Sequence, residues 1–210
     1  MDRNNTIAIV LDDHVLFSDS FSSLLERLGI FKSVHAFNDE KELTQFLMTS
    51  SNNPIFLFLD YYLKEKNTLP LINEVKRLNR QIKVIIISSV MNPIVIGNIL
   101  VYNPKGLISK SSGFDTILQC IKEVDRGTQY LCPVIDKIVA EMDLIKEIPF
   151  SARELEILQY FSGGMSIAQT AEQSNLSKHT IVSHRRNMMA KAQVNSITEL
   201  LAYAHRLELI

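Results

Sequence analysis

Four short apolar runs in the first 110 residues each end in a group able to handle charge. Thr6–Leu11 leads to Asp12-Asp13, Ile55–Leu59 to Asp60, Val84–Ile87 to Ser88-Ser89, and Gly106–Ser109 to Lys110. Carboxylates brought together repel one another unless a cation lies among them. An oxygen-only donor set suits a hard ion such as Mg2+, which keeps several waters and accepts a phosphate oxygen as a further ligand. A carboxylate beside such an ion can attack phosphorus and form an acyl phosphate. Lys110 would supply fixed positive charge for the phosphoryl oxygens, and Ser88 a short hydroxyl. Taken singly, an acid after a strand is ordinarily a loop or helix cap, and a lone lysine is a surface lysine. The order and spacing of the four together point to a divalent cation and a phosphoryl group.

To converge, these residues need a common edge. Runs rich in Ile and Val, separated by longer helix-like stretches, predict a parallel sheet buried on both faces. Ligands of such sheets bind beyond the carboxyl ends of the strands. The predicted strands are Thr6–Leu11, Lys32–Phe37, Ile55–Leu59, Val84–Ser88 and Leu107–Ile108. Helical spacing predicts helices over Val15–Leu28, Glu40–Thr49 (capped by Asp39), Leu69–Leu78, Ile94–Val101 and Phe114–Arg126. Right-handed crossovers make this a doubly wound, five-stranded parallel sheet, flavodoxin-like in its α/β class. Gly127 ends the unit, and Pro133–Glu147 reads as a linker helix stopped by Pro149.

From Ser151 onward only helices are expected. Ser151 with Glu154 has capping-box spacing, and so has Ser196 with Glu199. Ser166 starts a short helix to Gln173, and Ser177 caps a longer one over Lys178–Lys191. The division is therefore residues 1–127, a linker over 128–148, and a small all-α domain over 149–210.

With 46% hydrophobic and 21% charged residues, the chain suits a globular protein with a substantial core. A net charge of −1 gives no overall pull toward nucleic acid or membrane, so any such partner must be sought locally. No signal peptide is visible, and no apolar run approaches the ~20 residues of a membrane helix. Cys120 and Cys132 lack metal-ligand spacing and are expected as free thiols in a reducing cytoplasm.

The first 125 or so residues resemble the receiver domain of two-component response regulators. The likeness rests on Asp12-Asp13-His14, Asp60, Ser88 and Lys110, each at the end of its strand. It implies that Asp60 accepts a phosphoryl group from a histidine kinase. It also implies that Asp13 and Asp60 ligate Mg2+, with Asp12 reaching it through water and the Tyr62 carbonyl assisting. Ser88 and Lys110 would hold phosphoryl oxygens. The sequence departs from the family pattern in four places. Lys64 stands where Pro is usual and Thr68 where Gly is usual. Leu107 replaces the switching aromatic, Asn103-Pro104-Lys105 replaces a Gly-Ala lead-in, and Ser111 follows Lys110 in place of Pro.

The tail concentrates charge. Lys178–Lys191 holds Lys178, Arg185, Arg186 and Lys191 and no acid, a local charge of +4 with histidines neutral. An isolated run of this kind is usually a solvated helix face. Here it follows a short helix and a tight turn, and a helix of this width fits the major groove. Ile181 and Met188, with Met189 or Val182, are expected to face the core. Lys178, His179 and Val182 are the candidates for base edges, Arg186 and Lys191 for phosphates, with Ser183 and Arg185 also outward; His184 is ambiguous. Phe150–Leu158, Gly163–Ala168 and Leu176–Lys191 together resemble the DNA-binding domain of the LuxR/NarL family, over Phe150 to about Ala204. Thr170-Ala171 and Ala192 are its mild departures.

The resemblance implies a cytoplasmic transcription factor in which phosphorylation modulates homodimerisation and DNA binding. A second reading keeps the DNA-binding tail but makes the receiver a dimerisation module not driven by phosphate, motivated by Leu107 and the Asp60–Thr68 loop. An enzyme is disfavoured: there is no Gly-rich phosphate loop, the paired acids are adjacent, and no Ser/His/Asp or Cys/His set is apparent.

Overall fold

A computed structural model describes residues 5–50, 53–64, 66–141, 149–207 and 209–210. These fall into two compact units, one of residues 1–90 with 103–137 and one of residues 91–102 with 138–210.

The first unit is built on a parallel sheet. Its strands are β1 (Ile7–Leu11), β2 (Ser33–Phe37), β3 (Ile55–Asp60), β6 (Ile82–Ser88), β7 (Gly106–Ser109) and β8 (Tyr130–Leu131), in the order β2-β1-β3-β6-β7-β8. Every residue of β1 and β3 is buried, as expected of strands covered on both faces. The crossovers between strands carry α1 (Val15–Leu28), α2 (Glu40–Thr49), α3 (Leu69–Leu78) and α4 (Pro93–Val101); α5 (Phe114–Asp125) follows β7. Asp39 and Asn92 cap α2 and α4 by accepting the Lys41 and Ile94 backbone N–H groups.

The sheet has six strands, not the five expected. The sixth, β8, pairs parallel with β7 through Gly106 and Leu107. Two residues are too few to show an alternating pattern, so periodicity is blind to it. A two-residue hairpin, β4 (Tyr62–Leu63) with β5 (Lys66–Asn67), was also not foreseen. Strands of two residues, Tyr-Leu and Lys-Asn, are too short to carry a strand pattern. Helix α6 (Pro133–Ala140) starts where the proline predicts it; part of the expected continuation to Glu147 lies outside the described residues. Cys120 and Cys132 are buried free thiols, and burial, with Cys132 adding to it, pushes the Cys120 thiol up to about 12.

In the tail, α7 (Ala152–Ser162), α8 (Ile167–Gln173), α9 (Lys178–Lys191) and α10 (Ile197–Arg206) pack around Leu155, Leu158, Ile181, Met188 and Leu200. Helix α9 lies against α7, α8 and α10. The Ser151–Glu154 capping box forms in full, and Ser166 with Gln169 makes a second. At α10 the spacing is met only in part. Ser196 accepts the Glu199 N–H, but the Glu199 carboxylate reaches back to the Asn195 N–H instead.

Candidate functional site

Strand register places the acids. Leu11 pairs with Leu59, so Asp12 and Asp60 follow neighbouring strands at the same level. Neighbouring strands run about 4.8 Å apart, which puts side chains at that level in mutual reach. Asp60 pairs with Ile87 and Ser88 with Ser109, so Ser88 and Lys110 come next along the same edge.

One oxygen or nitrogen from each of Asp12, Asp13, His14 and Asp60 lies within 4.8 Å of the others. The Lys110 Nζ is 2.7 Å from both Asp12 Oδ2 and Asp60 Oδ2, and lies 4.8 Å from the centre of the Phe17 ring. Asp12 and Asp60 are buried, Asp13 is half-buried, and His14 is exposed. The His14 N–H donates to Asp12 Oδ1 at 2.8 Å, with its Nδ1 3.1 Å from the same oxygen. The Lys64 backbone N–H donates to Asp13 Oδ2 at 2.9 Å.

The electrostatics follow from burial and crowding. Burial raises the Asp60 carboxyl above its ordinary value, and the neighbouring Asp12 charge adds to this. The hydrogen bonds from Lys110 and from the Tyr62 N–H only partly offset the rise. Burial pulls the Lys110 ammonium down, yet the Asp12 and Asp60 carboxylates outweigh it and hold it above its usual value. Lys110 therefore stays cationic and neutralises part of a pocket that would otherwise hold three like charges.

Ser88 is buried at the end of β6, where its hydroxyl accepts the Val90 N–H at 3.0 Å. Tyr62 lies on the hairpin and is 45% exposed. Leu107 is fully buried in β7. Sequence reasoning passed over two supports. The buried Thr68 hydroxyl donates to the Asp60 carbonyl at 2.7 Å and staples the loop that follows Asp60. The Lys64 amide is the other; a backbone donor leaves no trace in residue type.

On α9, Lys178, His179, Val182, Arg186 and Lys191 are exposed, and Ser183, His184 and Arg185 are half-buried. The alternative that sent Val182 to the core is settled by its 41% exposure; Ile181 and Met188 are the buried pair. Lys191 is engaged: its Nζ is 2.7 Å from Glu154 Oε2. Arg153 reaches Glu156 at 2.7 Å and the Ser174 carbonyl, tying α7 to the turn before α9. Asn175 takes the left-handed conformation in that turn, with φ 53°.

Parallel sheet, acidic edge and basic helix define a receiver joined to a helix-turn-helix, and comparison with known proteins agrees. Residues 8–122 match the response regulator receiver domain, and residues 149–204 match the bacterial regulatory proteins of the luxR family. The chain belongs to the response regulators that carry a luxR-type domain. The Fimbriae Z protein of Salmonella typhimurium strain LT2 is 26% identical over 207 residues, covering 96% of this chain and 97% of that protein. The transcriptional regulatory protein UhpA of the same organism is 24% identical over 202 residues, covering 96% and 97%. The fold is shared with RcsB from Salmonella enterica serovar Typhimurium, solved bound to promoter rprA with the phosphomimetic BeF3−. The TM-score is 0.62 at 21% identity, with 95% and 98% of the two chains covered. Among the described residues no helix is long and apolar enough to cross a membrane.

Proposed function

We propose that this chain is a cytoplasmic transcription factor whose DNA binding is set by phosphorylation of Asp60. The observation that carries the reading is the convergence of Asp12, Asp13 and Asp60 around Lys110 at one sheet edge. The domain limits proposed are residues 1–127 for the receiver, 128–148 for the linker and 149–210 for the DNA-binding domain.

The phosphoryl donor is a phosphohistidine of a sensor histidine kinase. A carboxylate oxygen of Asp60 bonds to phosphorus as the P–N bond breaks, and the imidazole leaves with the bonding pair. Lys110 holds Asp60 Oδ2 in place beforehand and meets the added charge afterward. Ser88, one residue along the edge, offers its hydroxyl to a phosphoryl oxygen. The donor set fits a hard cation: Asp13 Oδ1 is buried and accepts no hydrogen bond, and the surrounding carboxylates are all oxygen donors. Asp12, Asp13 and Asp60, with the Tyr62 carbonyl, would hold Mg2+, which when bound offsets charge on the phosphoryl oxygens.

Phosphorylation then shifts a two-state equilibrium, and a homodimer sets two α9 helices into the major groove, one helical turn apart. Lys178, His179 and Val182, near the start of α9, face base edges. Ser183, Arg185, Arg186 and Lys191 serve the backbone. The second reading, a receiver indifferent to phosphate, draws on Leu107, a buried aliphatic group with no ring or hydroxyl to relay the change.

The two readings separate in one experiment. DNA is first selected from a random duplex pool by the full chain. Affinity for it is then measured with and without acetyl phosphate and Mg2+, with Phos-tag gels to follow modification. We expect a shifted band, about tenfold tighter binding, and neither change in Asp60→Asn. Modification without a change in affinity would favour the second reading. No modification at all would overturn the phosphoacceptor assignment.

A further inference from the structure

Asp13 is held differently from the other two acids of the cluster. Asp12 and Asp60 share the Lys110 ammonium. Asp13 instead takes its hydrogen bond at Oδ2 from the backbone N–H of Lys64, 51 residues away in the chain, at 2.9 Å. Its second oxygen, Oδ1, is buried and accepts no hydrogen bond, with only the His14 Nδ1 nearby at 3.3 Å. The amide therefore decides which oxygen is used up and which is left for the pocket.

The donor is available because of an unusual backbone. Lys64 follows β4 directly, where the chain turns toward β5, with φ 48°. Glycine takes this conformation freely, and a lysine takes it at some cost. Proline can neither take it nor supply the N–H. The Lys64 side chain is exposed and lies 3.3 Å from an exposed Asp39 oxygen, a pairing worth little in water. What matters at this position is the amide and the turn that presents it.

We infer that Lys64 is a positioning residue for the divalent cation: its backbone N–H, aimed by the β4–β5 turn, fixes Asp13 so that the buried Oδ1 faces the metal. The inference rests on the metal reading of the site given above. A ligating carboxylate that loses such a partner typically loses ten- to a hundredfold in metal affinity, about tenfold at the least.

The test uses the full chain and Mg2+ alone, with binding followed by calorimetry. Lys64→Pro is expected to raise the Mg2+ Kd about tenfold or more. Lys64→Gly, which keeps the N–H and eases the turn, should restore the affinity that Lys64→Pro loses. Wild-type affinity in a folded Lys64→Pro, or an equal loss in Lys64→Gly, would overturn the assignment. A second measurement needs no metal and no proline. Amide hydrogen exchange at Lys64 should quicken about fivefold or more in Asp13→Ala, as expected when a hydrogen bond worth about 1 kcal/mol is lost. Unchanged exchange would dismiss the hydrogen bond whatever the metal does. If the unmutated chain binds no Mg2+ while the exchange result holds, the metal reading fails and takes the inference with it, though the contact itself stands.

Discussion

Lys110 bears more of the site's electrostatics than any other residue described. It lies 2.7 Å from Asp12 Oδ2 and Asp60 Oδ2, and burial makes the Asp60 carboxyl costly to ionise. Removing one partner of such a cluster leaves charge buried without compensation. The pocket is open on the His14 side, so the full penalty of a sealed interior does not apply. Lys110→Ala should therefore cost about 2 kcal/mol at pH 7, less than the loss from a fully buried pair. The pH dependence has a definite sign. The Asp60 carboxyl is raised in the folded chain, so its ionisation works against folding once pH rises through that folded value. Without Lys110 this opposition grows. The deficit of Lys110→Ala should shrink as pH falls and Asp60 takes up its proton. Urea unfolding at pH 7 and at pH 4 checks it: an equal deficit at both would mean that packing against Phe17, rather than charge, is the residue's role.

Thr68 does for the loop what Lys110 does for the pocket. It is buried, and its hydroxyl donates to the Asp60 carbonyl at 2.7 Å. Thr68→Val keeps the shape and removes the donor, leaving a buried carbonyl short of a partner. The expected cost is about 1–2 kcal/mol in thermal or chemical unfolding, with slower phosphorylation of Asp60 by acetyl phosphate. In the tail, Glu154 closes the capping box and holds Lys191. Burial raises its carboxyl, but Lys191 and Ser151 together bring it below its ordinary value of 4.5. A depressed folded value stabilises above the unfolded one and is lost as pH falls through it. Glu154→Gln keeps box geometry, as Gln169 does beside Ser166, and gives up only the charge. It should cost about 1 kcal/mol at neutral pH, the share of a charge-assisted bond. The gap to wild type should close as pH drops below 4.5, followed by circular dichroism at 222 nm. At this scale the sequence was most informative where an element buries a long apolar run or carries a cap. Strands β1, β3 and most of β6 were readable from unbroken apolar runs, and α9 from Ser177. Strand β8 and the β4–β5 hairpin were invisible because two-residue strands are made by their neighbours, not by their own pattern. The same limit hid Lys64: its contribution comes from an N–H and a backbone angle. The convergence of Asp12 with Asp60 was legible only because both follow unbroken buried strands, whose register then brings them level.

For the whole molecule, a net charge of −1 conceals an uneven distribution. Helix α9 has four basic residues and no acid, yet its cations are not equivalent. Arg186 is exposed, whereas Lys191 is 2.7 Å from Glu154 and already paired with it. Each phosphate contact releases condensed counterions, so the slope of log K against log salt counts the cations that engage the backbone. A free cation adds about 0.9 to that slope on duplex DNA. A cation that must first leave a carboxylate makes its contact less often, and the carboxylate it exposes draws cations back, so the net release is smaller. Arg186→Ala should then lower the slope by about 1 per subunit and weaken binding to all sequences alike. Lys191→Ala should lower it by clearly less, while also loosening the α7–α9 contact through Glu154. Val182→Ala removes methyl groups from the exposed face of α9 without changing charge; it should leave the slope unaltered and lower only the preference for selected over random duplex. Fluorescence anisotropy across a salt series, run on selected and random DNA, separates the three. If Lys191→Ala changed the slope as much as Arg186→Ala, the Glu154 contact would have to open on DNA, and Lys191 would join Arg186 as a full phosphate ligand.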